Sequence, residues 1–225
     1  MKLRIVPFLF LGLFLTGCDS GPDTRQEEVQ IREVFEHFWS AIKVKNGEEV
    51  SKCISVSTFR LYEQIRQMAL RADREELNAA PPAIFATVLV VRASFTKTEI
   101  EAMSERDLVI YGTENEWWVV HKLFEKFRFL GDLVVDGNTA YATAHRTLDE
   151  PAFYFSKEEG EWKVNLARTN GVADQWISDQ ASQAGRSLEG FVLGVLAQRF
   201  GSIVSPELLD GPRTTEREVQ HATVV

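Results

Sequence analysis

The residues best suited to chemistry are Asp132, Tyr141, Thr143 and His145. A carboxylate or imidazole base beside a phenolic donor can take up a proton and stabilise the negative charge that develops. It does so when the base titrates near the working pH and the donor points at the developing charge. These residues belong together because apolar and polar side chains alternate through 127–135 and 139–147, the two-residue period of strands. Between the runs, Asp136-Gly137-Asn138 offers a two-residue hairpin loop as either Asp-Gly or Gly-Asn. Both choices group Phe129, Gly131, Leu133 and Val135 with Ala140, Ala142 and Ala144 on one face. Both put Leu130, Asp132 and Val134 with Tyr141, Thr143 and His145 on the other. Opposed side chains of an antiparallel pair sit about 5 Å apart, which brings Asp132 within reach of Tyr141 or Thr143. The same alternation also describes the wet face of a one-sided sheet, and on that reading the polar group is ordinary surface.

Other constellations are thinner. His121 and Glu125 stand four apart, a helical spacing for two metal ligands, but nothing nearby supplies the third and fourth that zinc requires, so a surface pair is expected and no metal. Cys53 is the one thiol besides Cys18 and makes no internal disulfide on its own; it reads as a small apolar residue packed under a helix. No phosphate-cradling glycine loop, nucleophile elbow or CxxC pair occurs, and Gly185–Gly190 lacks the strand and spacing of a nucleotide site, so no cofactor is expected. Arg60, Arg66, Arg71 and Arg74 mix with Glu63, Glu75 and Glu76 as a solvated face does, and His37 falls off the apolar face of its helix.

These residues have to be positioned by helices first and strands afterwards. Thr24-Arg25-Gln26-Glu27 has capping-box form, and Ile31, Val34, Phe35, Phe38 and Ile42 recur at helical steps until Asn46-Gly47 supplies a stop. A second helix is expected from Ser57, burying Leu61, Ile65, Met68 and Ala72 and ending before Pro81-Pro82. Ile84–Phe95 is read as a helix with a polar edge at Arg92, and a capping box at Thr96–Glu99 opens another short helix. Residues 107–124 stay open between helix and strand. Four strands then follow at 127–135, 139–147, 152–156 and 161–168. Farther on, Leu188, Phe191, Val192, Val195 and Leu196 make a bulky helical stripe, with Gly190, Gly194, Ala197 and Gly201 opposite, where a close backbone approach would suit the glycines.

Helices followed by a four-strand meander with "DGNTAYA" and "EGEWKV" hairpin strands resemble the nuclear transport factor 2-like superfamily over residues 25–170. The resemblance implies an α+β fold in which a curved antiparallel sheet forms a cone around its helices. It leaves function open, because that superfamily holds isomerase-like and dehydratase enzymes as well as binding and dimerising modules. The enzymatic alternative assigns the base to Asp132 or His145 and the donor to Tyr141, in an enclosed cavity.

The start of the chain gives an address. Lys2 and Arg4 precede an apolar run, Ile5–Leu15, of about eleven residues, where a membrane-spanning helix needs about twenty. Leu15-Thr16-Gly17-Cys18 then resembles the lipobox of bacterial lipoproteins position by position. The resemblance implies cleavage before Cys18 and a lipid on its thiol and new amino group, so that the chain is exported and tied to a membrane by that lipid. Asp19 resembles the signal that retains lipoproteins in the inner membrane of enteric-type bacteria, but the choice of membrane stays open. The chain carries a net charge of −8, and losing Lys2 and Arg4 with the leader makes it more acidic still. Such a surface excludes nucleic acid as a partner and gains nothing from an anionic bilayer, which leaves the lipid to hold it there. The sequence thus divides into a leader at 1–17, a lipidated tether at 18–24, the α+β domain at 25–170, a helical extension at 171–205 and a flexible tail at 206–225. The favoured function is a non-enzymatic ligand-binding or protein-interaction module, with another envelope protein or a second copy of the chain as partner.

Overall fold

The helical spacing of Ile31, Phe35, Phe38 and Ile42 produces one long helix, α1 (Pro22–Lys43), which buries them together with Trp39. This computed structural model describes residues 22–117, 129–144 and 151–214. The Thr24–Glu27 pair does not cap α1, which is already helical at Pro22. Glu27 instead accepts hydrogen bonds from Lys157 Nζ at 2.6 Å and from Trp162 Nε1, fixing α1 to the sheet. The chain does turn at Asn46-Gly47, but through a different device. Lys45 takes a left-handed φ of 55°, and Asn46 N–H reaches back to the Ala41 carbonyl, closing α1 as a Schellman turn. Asn46 then caps a short helix that the sequence reading passes over, α2 (Gly47–Cys53), by accepting from Glu49 N–H at 3.1 Å. Gly47 is indispensable there because a Cβ would lie 2.6 Å from the Ile110 backbone.

The second expected helix is α3 (Val56–Arg71), capped by Ser55, and it breaks earlier than Pro81. Asp73 and Glu76 form a capping box for α4 (Arg74–Asn78). The valine-rich stretch is helical, α5 (Pro82–Ser94), with proline at its first turn and the Asp174 carboxylate accepting from Ala83 N–H at 2.7 Å. It shows no single apolar stripe because it is buried all round, Arg92 included. The Thr96–Glu99 capping box opens α6 (Lys97–Ala102) as expected. The open stretch begins with another one, Ser104 with Asp107, heading α7 (Glu105–Glu114).

The sheet follows in meander order as β1 (Leu130–Asp136), β2 (Thr139–Ala144), β3 (Pro151–Glu158) and β4 (Glu161–Val164). Asp136 pairs with Thr139, so the loop is Gly137-Asn138, with Gly137 at φ 55°. The β3–β4 loop, Glu159-Gly160, has positive φ at both positions, the geometry that matches strand twist. Leu133, Val135, Ala140, Ala142, Phe153, Phe155, Trp162 and Val164 share the inner face, where α1 lies. The alanines leave room for Phe35, whose ring centroid sits 4.8 Å from that of Phe153 and 6.1 Å from that of Phe155. Bulges in β1 between Leu130 and Leu133, and between β2 and β3 at Thr143, bend the strands. The first bulge corrects one expected placement. Leu130 pairs with Ala144 and packs against the core instead of facing outward.

The fourth strand is shorter than 161–168. Asn165 leaves the ladder to cap α8 (Leu166–Gln183), accepting from Arg168 N–H at 3.2 Å and donating to Ser156 Oγ at 2.9 Å. Helix α9 (Leu188–Phe200) follows and buries Val192 and Leu196 as expected, but Val195 of the same expected stripe is exposed. Its glycines meet no neighbouring backbone; a Cβ on Gly194 would touch the Arg186 guanidinium and one on Gly190 the Ser187 hydroxyl. Residues 206–214, expected as tail, are instead docked. Leu208 and Leu209 in a 3-10 turn (Pro206–Leu209) are buried, and Lys97 N–H donates to the Arg213 carbonyl at 2.8 Å.

Candidate functional site

Two places follow from the residues: the outer face of the sheet, which holds the sequence candidates, and a groove where α1 leaves the sheet. On the outer face Tyr141 pairs across the ladder with Tyr154, ring centroids 6.4 Å apart, and the Arg168 guanidinium stacks 4.7 Å from the Tyr154 ring centre. Asp132 sits within the β1 bulge, exposed, and its backbone N–H donates to Thr143 Oγ1 at 3.0 Å. Val134, opposite Tyr141, is also exposed. Asp132, Tyr141 and Thr143 thus share the outer side of the sheet, and none of them lines a described cavity. His145, the other base candidate, lies outside the described residues, as do His121, Glu125 and Cys18.

A cavity of about 40 Å³ lies among Leu61, Tyr62, Ile65, Ala86, Thr87 and Ile177, between α3, α5 and α8. That is room for about one water molecule, whereas substrate pockets run to roughly 300–1,000 Å³. Burial pushes the Tyr62 hydroxyl upward, which keeps it neutral. The groove is of ligand size, about 420 Å³, but it is open. Arg32, Glu36, Ser40 and Lys43 form one rim along α1, with Phe35 and Trp39 below and Phe129 and Leu130 opposite. The β1 bulge makes this groove, because it turns Leu130 inward, and Arg32 closes one end by donating to the Gly131 carbonyl at 3.2 Å. The result is an amphipathic furrow with charged and aromatic walls, suited to binding and without a base and donor converging on one point.

The remaining polar features are structural. Among the described residues no cluster of three or more His, Cys, Asp or Glu is placed to hold a metal ion. His37 is exposed and its Nε2 lies 3.1 Å from Glu49 Oε2. Cys53 is buried, and that burial pushes its thiol up to about 11, out of the reactive range. Lys157 beside Glu27, helped by the Trp162 indole N–H, holds that carboxyl below its ordinary range.

The residue that sequence reading missed is Arg92. Its guanidinium, fully buried, donates to the carbonyls of Met68, Ala69 and Ala72 at the end of α3 and of Leu208 and Leu209 in the 3-10 turn. The signal was present as one cation inside a run, Ile84–Ala93, whose only other polar residue is Thr87, with no acidic residue near it in sequence. A helix C-terminus is where such a cation is stabilised.

Compared with known proteins, the chain matches no family model, no curated protein and no solved structure.

Proposed function

We propose that this chain is an exported lipoprotein, anchored to a membrane of the cell envelope through Cys18, that works as a non-enzymatic ligand-binding or protein-interaction module. The anchoring rests on the order of basic start, short apolar run and Leu15-Thr16-Gly17-Cys18. No helix of the described residues is long and apolar enough to cross a membrane, so those residues offer no second helical anchor. Kinship with the nuclear transport factor 2-like superfamily is part of the proposal, and a long helix lying on the inner face of a four-strand meander supports it.

The observation that carries the binding role is the openness of the polar groups. General acid–base chemistry needs a site that excludes water and aims a donor at the reacting atom. Asp132 stands exposed on the outer face, and among the described residues the cavity between α3, α5 and α8 holds only about 40 Å³. The groove beside α1 presents Phe129, Arg32 and Lys43 to a partner. A photo-crosslinker in place of Phe129, in intact cells, tests this reading. A discrete adduct that disappears with Trp39→Ala supports the groove as the working surface. Absence of any adduct, together with turnover of an enolisable ketone that Tyr141→Phe abolishes, would replace it with the enzymatic alternative.

A further inference from the structure

Resting on the reading that Cys18 carries the lipid, we infer that the chain meets the bilayer with one particular end, formed by the start of α1 and the tips of the two hairpins. Only Asp19, Ser20 and Gly21 separate Cys18 from the first residue of α1. Four residue steps span at most about 14 Å. Helix α1 is not free to swing at that point, because Glu27 is tied to Lys157 and Trp162 on the inner face of the sheet. Lys157 N–H in turn donates to the Asn138 carbonyl at 2.8 Å, so the Gly137-Asn138 and Glu159-Gly160 loops lie at the same end as the tether. The start of α3 joins them, since Val56 N–H donates to both Glu158 carboxylate oxygens at 3.0 Å.

The other end of α1 is far away. Its 22 residues carry the chain about 33 Å along the helix axis to the Lys43–Asn46 turn. The groove lined by Lys43, Phe129 and Leu130 belongs to that distal half, which the tether leaves facing away from the lipid. Charge sets how the near end sits. Asp136, Glu158 and Glu159 lie there beside the ion pairs Lys157–Glu27 and Lys163–Glu161, and they outnumber the single further cation, Arg25, in the first turns of α1. Carboxylates at this end are repelled by anionic headgroups, so the lipid holds the domain close without the surface adhering. The partner of this end is therefore a bilayer surface reached by tether, and the binding groove is presented outward.

Energy transfer from a labelled cysteine to an acceptor lipid tests this in vesicles of phosphatidylcholine carrying the full lipidated chain. Labels go at Asn138→Cys or Glu161→Cys, both exposed at the near end, and at Val44→Cys, 73% exposed at the far turn. Buried Cys53 does not compete for the label. Transfer from positions 138 and 161 at least twofold more efficient than from 44 is the expected result. Equal transfer from all three, or stronger transfer from 44, would overturn the orientation while leaving the lipid in place. A chain whose intact mass shows no lipid on Cys18, or a Cys18→Ser chain that binds the vesicles equally well, would remove the reading underneath it.

Discussion

Arg92 is the residue whose replacement is expected to cost the fold most. Its side chain makes five hydrogen bonds, at 2.5–3.1 Å, to carbonyls from two segments more than a hundred residues apart. Burial pulls its pKa down to about 10, so it remains a cation at neutral pH. Arg92→Met keeps an unbranched chain, shorter by the guanidinium, and removes every donor. Each carbonyl left dry costs about 1–3 kcal/mol, offset in part by relief of a desolvated charge worth several kcal/mol and by water reaching the rim. Removing one side of a buried charged network typically costs about 3–5 kcal/mol, and we expect a loss of about 4 kcal/mol from a total of about 5–15. Arg92→Lys retains the charge but offers three donors, and about half that loss is expected. Urea unfolding measures both, read as a shift of midpoint at unchanged slope. Limited proteolysis should then cut within residues 205–214, which lose their hold on α3. A change smaller than about 0.5 kcal/mol for Arg92→Met would refute the reasoning and show that solvating the carbonyls is as favourable as the clamp.

Two glycines should respond in opposite directions. Gly47→Ala places a methyl 2.6 Å from the Ile110 backbone and is expected to destabilise by about 2 kcal/mol, whereas Gly194→Ala meets the far end of Arg186 and should stabilise by up to about 1 kcal/mol through helix propensity. Thermal melts of the two variants, compared with the parent, decide it. Arg66 bonded to Glu63, Thr96 N–H bonded to Glu99 and Ser104 N–H bonded to Asp107 all hold carboxyls below their ordinary range. Because the folded pKa values are depressed, their stabilisation is complete above about pH 5 and is lost as the pH falls through 4 toward 3. Urea midpoints that stay constant from pH 6 to pH 3 would contradict that sign.

The sheet was the most legible part of the molecule, because one-face burial writes a two-residue period into 130–143 and the Asp136-Gly137-Asn138 turn fixes the grouping whichever register is taken. The bulge that turns Leu130 inward has no such signature, since one inserted residue changes a face without changing composition. Ile84–Phe95 was readable as a helix from the spacing that put Arg92 on a polar edge, but the buried role of Arg92 was not. Its partners are backbone carbonyls, and no residue type announces them. Asn165 had the capping chemistry to end β4, yet the apolar Leu166 after Trp162 and Val164 extended the strand pattern past the true boundary. The groove joins α1 to β1 across about a hundred residues of sequence, and periodicity is silent about contacts of that range.

Whether Cys18 carries a lipid is decided by the intact mass of the chain extracted from membranes of an expressing bacterium. The expected result is a polypeptide beginning at Cys18 with lipid on that residue, and a Cys18→Ser variant that stays unprocessed with residues 1–17 attached. A lipid-free chain with a free Cys18 thiol, or a Cys18→Ser variant processed and retained at the membrane as before, would contradict it.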